Sequence, residues 1–277
     1  MVNLSNYTKA NFNEYDVNLV QKEVDGGEIS KEQIDSIGSQ SDAKSIVISG
    51  LKQDTFDYFV SNYARQFEAI SFWKNKSVSD LSSLASLTDV KYINYFFNQK
   101  ATSLWDMSRN EGLIGLGIHD FNKLHNIEDI VSSLNLQHFA IGDEVWAKME
   151  LDSLKPISET NITHFEWSGK TVKDGNFKCL SNGRISTLDI NPTQFTVEEL
   201  TDLLAAFPET LQGTITKPYV TGGVEDSTGH TSYFFLCKGK KTCVVGKDDE
   251  RFKKYLDDFE HLLKEKRKQH FRGDNRK

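Results

Sequence analysis

Short segments in which two apolar residues are separated by one other recur along the chain at a nearly constant interval. They are Ile46/Ile48, Ile70/Phe72, Ile93/Tyr95, Leu116/Ile118, Phe139/Ile141, Phe165/Trp167, Leu188/Ile190 and, more weakly, Gly213/Ile215, with first members 24, 23, 23, 23, 26, 23 and 25 residues apart. In six copies a third apolar residue stands three positions before the first: Phe67, Val90, Leu113, Leu136, Ile162 and Ile185. Such a period constrains the fold more than composition does. A unit of this size cannot bury its apolar side chains alone, so each must stack on its neighbours.

Between these segments the spacing of apolar residues changes from two to three or four. Phe56, Phe59, Val60 and Tyr63 are helix-spaced, as are Leu81, Leu84 and Leu87, then Leu124, Ile127, Ile130, Val131 and Leu134, then Leu200, Leu203, Leu204 and Phe207. Thr196 and Glu199 have capping-box spacing, and Pro208 supplies a stop for the helix between. Each unit reads as a short strand followed by a helix or helical turn, which predicts an α/β chain with a parallel sheet on one side and helices on the other. A nucleotide-binding α/β fold has longer units and a phosphate loop. Here Gly115-Leu-Gly117 runs on to Asp120 where a third glycine is needed, and His164 stands where a P-loop before Gly169-Lys170-Thr171 needs glycine.

The pattern LxxLxLxxN resembles the leucine-rich repeat family. It stands here as Phe67-x-x-Ile70-x-Phe72-x-x-Asn75 and Val90-x-x-Ile93-x-Tyr95-x-x-Asn98, while later copies hold Phe121, Glu144, Lys170 and Thr193 at the asparagine place. The resemblance covers residues 45 to 217. It implies a solenoid, or horseshoe, with parallel strands on the concave face, helices on the convex face and capped ends. The family's asparagine bonds backbone groups at the turn leaving the strand, so its loss in later copies implies irregular turns. The expected domains are a cap over 1–44, a solenoid of about eight repeats over 45–220, and a cap over 221–277.

In the N-terminal cap, Tyr15, Val17 and Leu19 alternate as a strand does, Gly26-Gly27 turns the chain, and Ser30 with Gln33 has capping-box spacing before Ile34 and Ile37. In the C-terminal cap, residues 221 to 230, with three glycines, read as a loop. Tyr233 to Cys237 and Thr242 to Val245 flank a hairpin turn, and Phe252, Tyr255, Leu256, Phe259, Leu262 and Leu263 form the stripe of an amphipathic helix.

On a leucine-rich repeat strand the patterned pair points into the core and its neighbours point to the concave surface. The outward columns are Ala69, Tyr92, Gly115, His138, His164 and Thr187, then Ser71, Asn94, Gly117, Ala140, Glu166 and Asp189, then Trp73, Phe96, His119, Gly142, Ser168 and Asn191. Two neighbourhoods stand out. Trp73, Tyr92 and Phe96 make an aromatic area with Phe97 near its edge, either an interface or partly tucked under a cap. Beyond lie His119, His138, His164, Glu166 and Asp189, a candidate metal or pH-sensing group or else a solvated polar floor. Gly115, Gly117 and Gly142 leave the sheet surface low between them, with room for a bulky ligand side chain.

Charge narrows the partner. Residues 247–277 hold 11 Lys/Arg and 8 Asp/Glu, so the rest of this −7 chain carries −10, which disfavours nucleic acid as principal partner. The terminal cations Lys264, Lys266, Arg267, Lys268, Arg272, Arg276 and Lys277 suit the last turns of a helix. Three scattered cysteines do not form a disulfide framework, no secretory signal is visible and no apolar run reaches membrane length, so a cytoplasmic setting is expected. No nucleophile elbow, HExxH, CxxC or calcium loop occurs, so no enzyme activity and no cofactor is expected. The expectation is a protein-binding scaffold that grips its partner with Trp73, Tyr92, Asn94, Phe96, His119, His138, His164, Glu166 and Asp189, possible also as an inhibitor of a basic enzyme or toxin. The alternative from another class is a metal-dependent hydrolase built on the His/Glu/Asp group.

Overall fold

The structure, a computed structural model, describes residues 15–22, 27–226 and 229–274. Gly26 of the expected glycine turn, the first fourteen residues, Arg276 and Lys277 lie outside these, as does the Arg272 side chain. The chain divides into two compact units, Met1–Arg184 and Ile185–Lys277.

The strands of the first unit are β1 (Val17–Leu19), β2 (Ser45–Ser49), β3 (Ala69–Trp73), β4 (Tyr92–Asn98), β5 (Gly115–Phe121), β6 (His138–Gly142), β7 (Glu150–Leu151), β8 (His164–Ser168) and β9 (Thr171–Val172). Seven of them form a parallel sheet in the order β1-β2-β3-β4-β5-β6-β8, and β7 pairs with β9 as a separate parallel pair. Every crossover joins neighbours, as the constant interval demands. The register follows the period: Ile46 pairs with Ile70, Ile70 with Ile93, Ile93 with Leu116, Leu116 with Phe139 and Phe139 with Phe165. Val17 aligns with Ile46, so the alternation at Tyr15–Leu19 contributes a further sheet strand.

The patterned residues other than the half-buried Gly213, and the column three positions before them, are buried. Under β3–β5 the core is aromatic: Phe72 lies 5.2 Å from Phe56 and from Tyr95, and Tyr95 lies 5.1 Å from Phe121. Such ring pairs add about 0.5–1.5 kcal/mol each beyond their burial. The returns hold a helix or a helical turn, as the spacing implies. Gln53–Asn62 is an α-helix, but the helix-spaced residues at 81–87 and 124–134 form 3-10 turns at Ser82–Ser86 and Glu128–Ser132. A 3-10 turn advances about 2.0 Å per residue against 1.5 Å, so it spans the return with fewer residues. The Ser30–Gln33 capping box is present.

The second unit contains β10 (Thr187–Ile190), β11 (Tyr219–Asp226), β12 (Gly229–Leu236) and β13 (Cys243–Val244). The weakest repeat is not a strand: Gly213, at φ +105°, opens a 3-10 turn at Thr214–Thr216, and only Gln212 bridges to Thr187. The expected loop at 221–230 is also overturned, because β11 and β12 are antiparallel strands paired from Tyr219↔Leu236 to Asp226↔Gly229. Glycines 222 and 223 belong there because the Phe235 and His230 rings lie across their backbones, where a Cβ would come within 2.8 and 2.6 Å. The turn expected after Cys237 is present, with Phe234 aligned on Cys243. Helix Asp249–Asp274 packs its stripe on this hairpin, stacking Phe252 on Phe234 at 3.9 Å. Val197–Ala205 is helical and starts with the Thr196–Glu199 capping box.

Candidate functional site

The turns leaving the strands set the geometry of the site. Two residues past the second core position of β2, β3, β4 and β5 the backbone is left-handed: Gly50 at φ +68°, Lys74 at +54°, Phe97 at +66° and Asp120 at +54°. Only the first is glycine, so three side chains are held in a conformation that costs about 1–2 kcal/mol each. Asparagines satisfy the backbone around these turns. Asn75 donates to the Ile48 carbonyl at 3.0 Å and accepts from the Leu51 N–H at 2.8 Å. Asn98 donates to the Asn75 and Val78 carbonyls and accepts from the Lys100 and Ala101 N–H groups, both at 2.8 Å.

After β6 the chain makes a longer excursion, residues 143–149, in the one repeat whose interval is 26. Two carboxylates fix it. Asp120, 1 % exposed, accepts from the N–H groups of Glu144, Val145 and Trp146, and Asp143 accepts from those of Lys148 and Met149, both at 2.7 Å. Burial raises the Asp143 carboxyl above the usual range, against its two backbone hydrogen bonds. A loop held by five such bonds presents Val145 and Trp146 at 59 % and 42 % exposure.

Trp146 extends an aromatic run along the strand exits. Trp73 stacks on Phe96 with centroids 4.3 Å apart, Phe96 lies 6.3 Å from Phe97, and Phe97 lies 4.9 Å from Trp146. Beside the run is a cavity of about 480 Å³ lined by Phe96, Phe97, Val145 and Trp146 together with Lys52, Lys74 and Lys76. The Lys74 ammonium lies 5.5 Å from the centre of the Trp73 ring, and Lys52 pairs with Glu28 at 2.5 Å.

The sequence-derived residues divide around this rim. Trp73 is half-buried and Phe96 buried, and both belong to the run. Tyr92 is half-buried at the start of β4, four residues or about 13 Å back along the strand. His119 is not grouped with the other histidines: it aligns between Phe96 and Gly142, on the aromatic side. Only 1 % exposed, it has no hydrogen-bond partner on either ring nitrogen among the described residues, with Glu144 3.9 Å from Nδ1. Burial pushes its imidazole down to about 4. His138 and His164 are half-buried neighbours at the other end of the sheet, rings 5.4 Å apart, with Glu166 half-buried on β8. Burial, and then the adjacent His164, lower the His138 imidazole. Asn94 is buried, and Asp189 belongs to the second unit, where it accepts from the Thr214 N–H at 2.8 Å.

The space expected above the glycines is filled by the protein itself. A Cβ on Gly117 would lie 2.6 Å from Asn94 Oδ1 and 3.2 Å from His119 Nε2, and one on Gly142 would meet Ser168 and the Gly169 N–H. Among the described residues no group of three or more His, Cys, Asp and Glu is placed to hold a metal ion, and no helix is long and apolar enough to cross a membrane. The three cysteines are free and buried, and burial raises the Cys179 thiol to about 11.

No family model matches the chain, and no curated protein matches it either. Val145, Trp146, Lys74 and Lys76 were not singled out by the sequence pattern. The interval of 26 residues between Phe139 and Phe165 is the signal that points to Val145 and Trp146, and no comparable signal marks Lys74 and Lys76.

Proposed function

We propose that this chain is a leucine-rich-repeat-like solenoid acting as a non-enzymatic scaffold that binds a protein partner through its sheet face and strand-exit rim. In-register strands at a 23-residue interval and asparagines bonding the turns support the architecture. Three unpaired, buried thiols support a reducing, cytoplasmic setting. The observation that carries the binding reading is the display of Val145 and Trp146 on a loop locked by Asp120 and Asp143. An exposed indole beside a cavity adds large contact area at low entropy cost, and a fixed backbone removes the ordering penalty that weakens flexible loops. Trp73, Tyr92, His138, His164 and Glu166, all half-buried, extend the contact across the sheet of the first unit.

The test compares partner capture from lysate of the native cells by the full chain and by the Val145→Ser/Trp146→Ala double variant. The variant melts at the same temperature and loses the captured partner by ten-fold or more, as expected for an interface anchor worth at least ~1.4 kcal/mol. Equal capture by the two proteins overturns the reading.

A further inference from the structure

The antiparallel sheet of the second unit ends on a long edge. Among the described residues β11 pairs with β12 alone, so its outer side has no strand partner over eight residues. By contrast β1, at the edge of the first unit's sheet, has three residues. Open edges are ordinarily blunted by lysine, proline or brevity, because a row of outward N–H and C=O groups is a template for another strand. β11 reads Tyr-Val-Thr-Gly-Gly-Val-Glu-Asp, with neither lysine nor proline, and its acidic pair stands only at the end.

The two faces of the hairpin supply a second observation. Tyr219 and Phe234 pack on Phe252 of the terminal helix. Alternation sends Val220, Val224, Tyr233 and Phe235 to the other face, where Val220, Val224 and Phe235 are exposed, Val224 to 54 %. Edge and apolar face thus coincide on one strand.

We propose that β11 pairs antiparallel with β11 of a second copy of this chain. A two-fold axis perpendicular to the sheet keeps each side chain on its own face, so only residues of like parity can oppose one another. Centring the axis on Gly222 sets Val220 against Val224 of the second copy, twice by symmetry, and Thr221 against Gly223. Glu225 then lies opposite Tyr219 and diagonal to Lys217, which is exposed and in extended backbone just before Pro218. A shift of two residues either way sets the valines against glycine, proline or aspartate instead. The commitment to a second copy rests on this self-complementarity, with apolar on apolar and carboxylate near ammonium in one register. The edge is about 27 Å long, which makes a small interface and so a reversible dimer of micromolar affinity. This inference concerns the second unit and stands apart from the binding reading above.

Sedimentation velocity of the full chain over a series from micromolar to millimolar concentration tests it. The chain passes reversibly from monomer to dimer. Val224→Lys, at an exposed position, melts at the same temperature and weakens dimerisation by about ten-fold or more. The register is read separately with the Val220→Cys/Val224→Cys variant in oxidised glutathione. It becomes a disulfide-linked dimer, whereas each single-cysteine variant does not, because its new thiol faces valine. The three native cysteines are buried. A chain that stays monomeric across the series overturns the proposal, as does a dimer that Val224→Lys leaves intact, which places the contact elsewhere on the molecule. Cross-linking of a single-cysteine variant as efficient as that of the double variant overturns the register, and with it the case for a second copy at this edge.

Discussion

His119 shows how far a single position departs from what its column implies. Strand alternation places it among outward-facing residues, yet it is 1 % exposed because Gly117 lets its ring settle onto the backbone and Glu144 arrives from the following loop. An imidazole held at about 4 stays neutral in the folded chain at pH 7 and at pH 5. The unfolded chain takes up that proton near the ordinary value of about 6.5. The stability associated with neutral His119 is therefore intact above about pH 6.5 and is lost as the pH falls towards 4, by on the order of 3 kcal/mol across the window. Asp143, whose carboxyl is raised by burial, acts in the opposite direction at the acid end. Urea unfolding of the wild type and of His119→Gln at intervals between pH 7.5 and 4 checks this, with pH values that span the window. The stability difference shifts in favour of the variant as the pH drops; a difference constant with pH contradicts the assignment.

Among the elements, the strand exits combine two devices, the left-handed residue and the asparagine that bonds the backbone beyond it. Asn98 satisfies two carbonyls and two N–H groups where no water reaches. Asn98→Ala strands those groups and lowers stability by about 2–3 kcal/mol, measured by chemical denaturation. Asn161→Ala, which removes an exposed bond to the Leu134 carbonyl, changes it by under ~1 kcal/mol. Similar losses for the two variants contradict this account of the turns. The period read in the sequence carries the sheet register and the core column, because parallel neighbours at a fixed interval leave no other alignment for two apolar residues per unit. Three features were not legible for local reasons. Glycines 222 and 223 mimic a loop but serve as beds for Phe235 and His230. Gly213 and Ile215 carry the apolar spacing without strand backbone. The side chains of Trp146 and Lys74 belong to loop and turn positions, which have no periodicity to read.

For the whole molecule, charge organises the account. In the second unit the terminal helix spends cations on its own surroundings, Lys266 on Asp202 at 2.8 Å and Arg267 on Glu209 at 3.2 Å. In the first unit, lysines gather instead around an apolar cavity with a rigid tryptophan at its edge. Together with the polar half-buried face formed by His138, His164 and Glu166, that cavity makes one side of the sheet chemically distinctive. The central claim is that a protein partner sits against this rim. The most direct measurement places a photocrosslinking amino acid at position 145, where the side chain is 59 % exposed, and separately at position 134, exposed to 52 % on a return segment of the same unit. After irradiation in the native cells, the account predicts one dominant crosslinked partner from position 145 and none from position 134. Crosslinking from position 134 alone, or the same products from both positions, contradicts it.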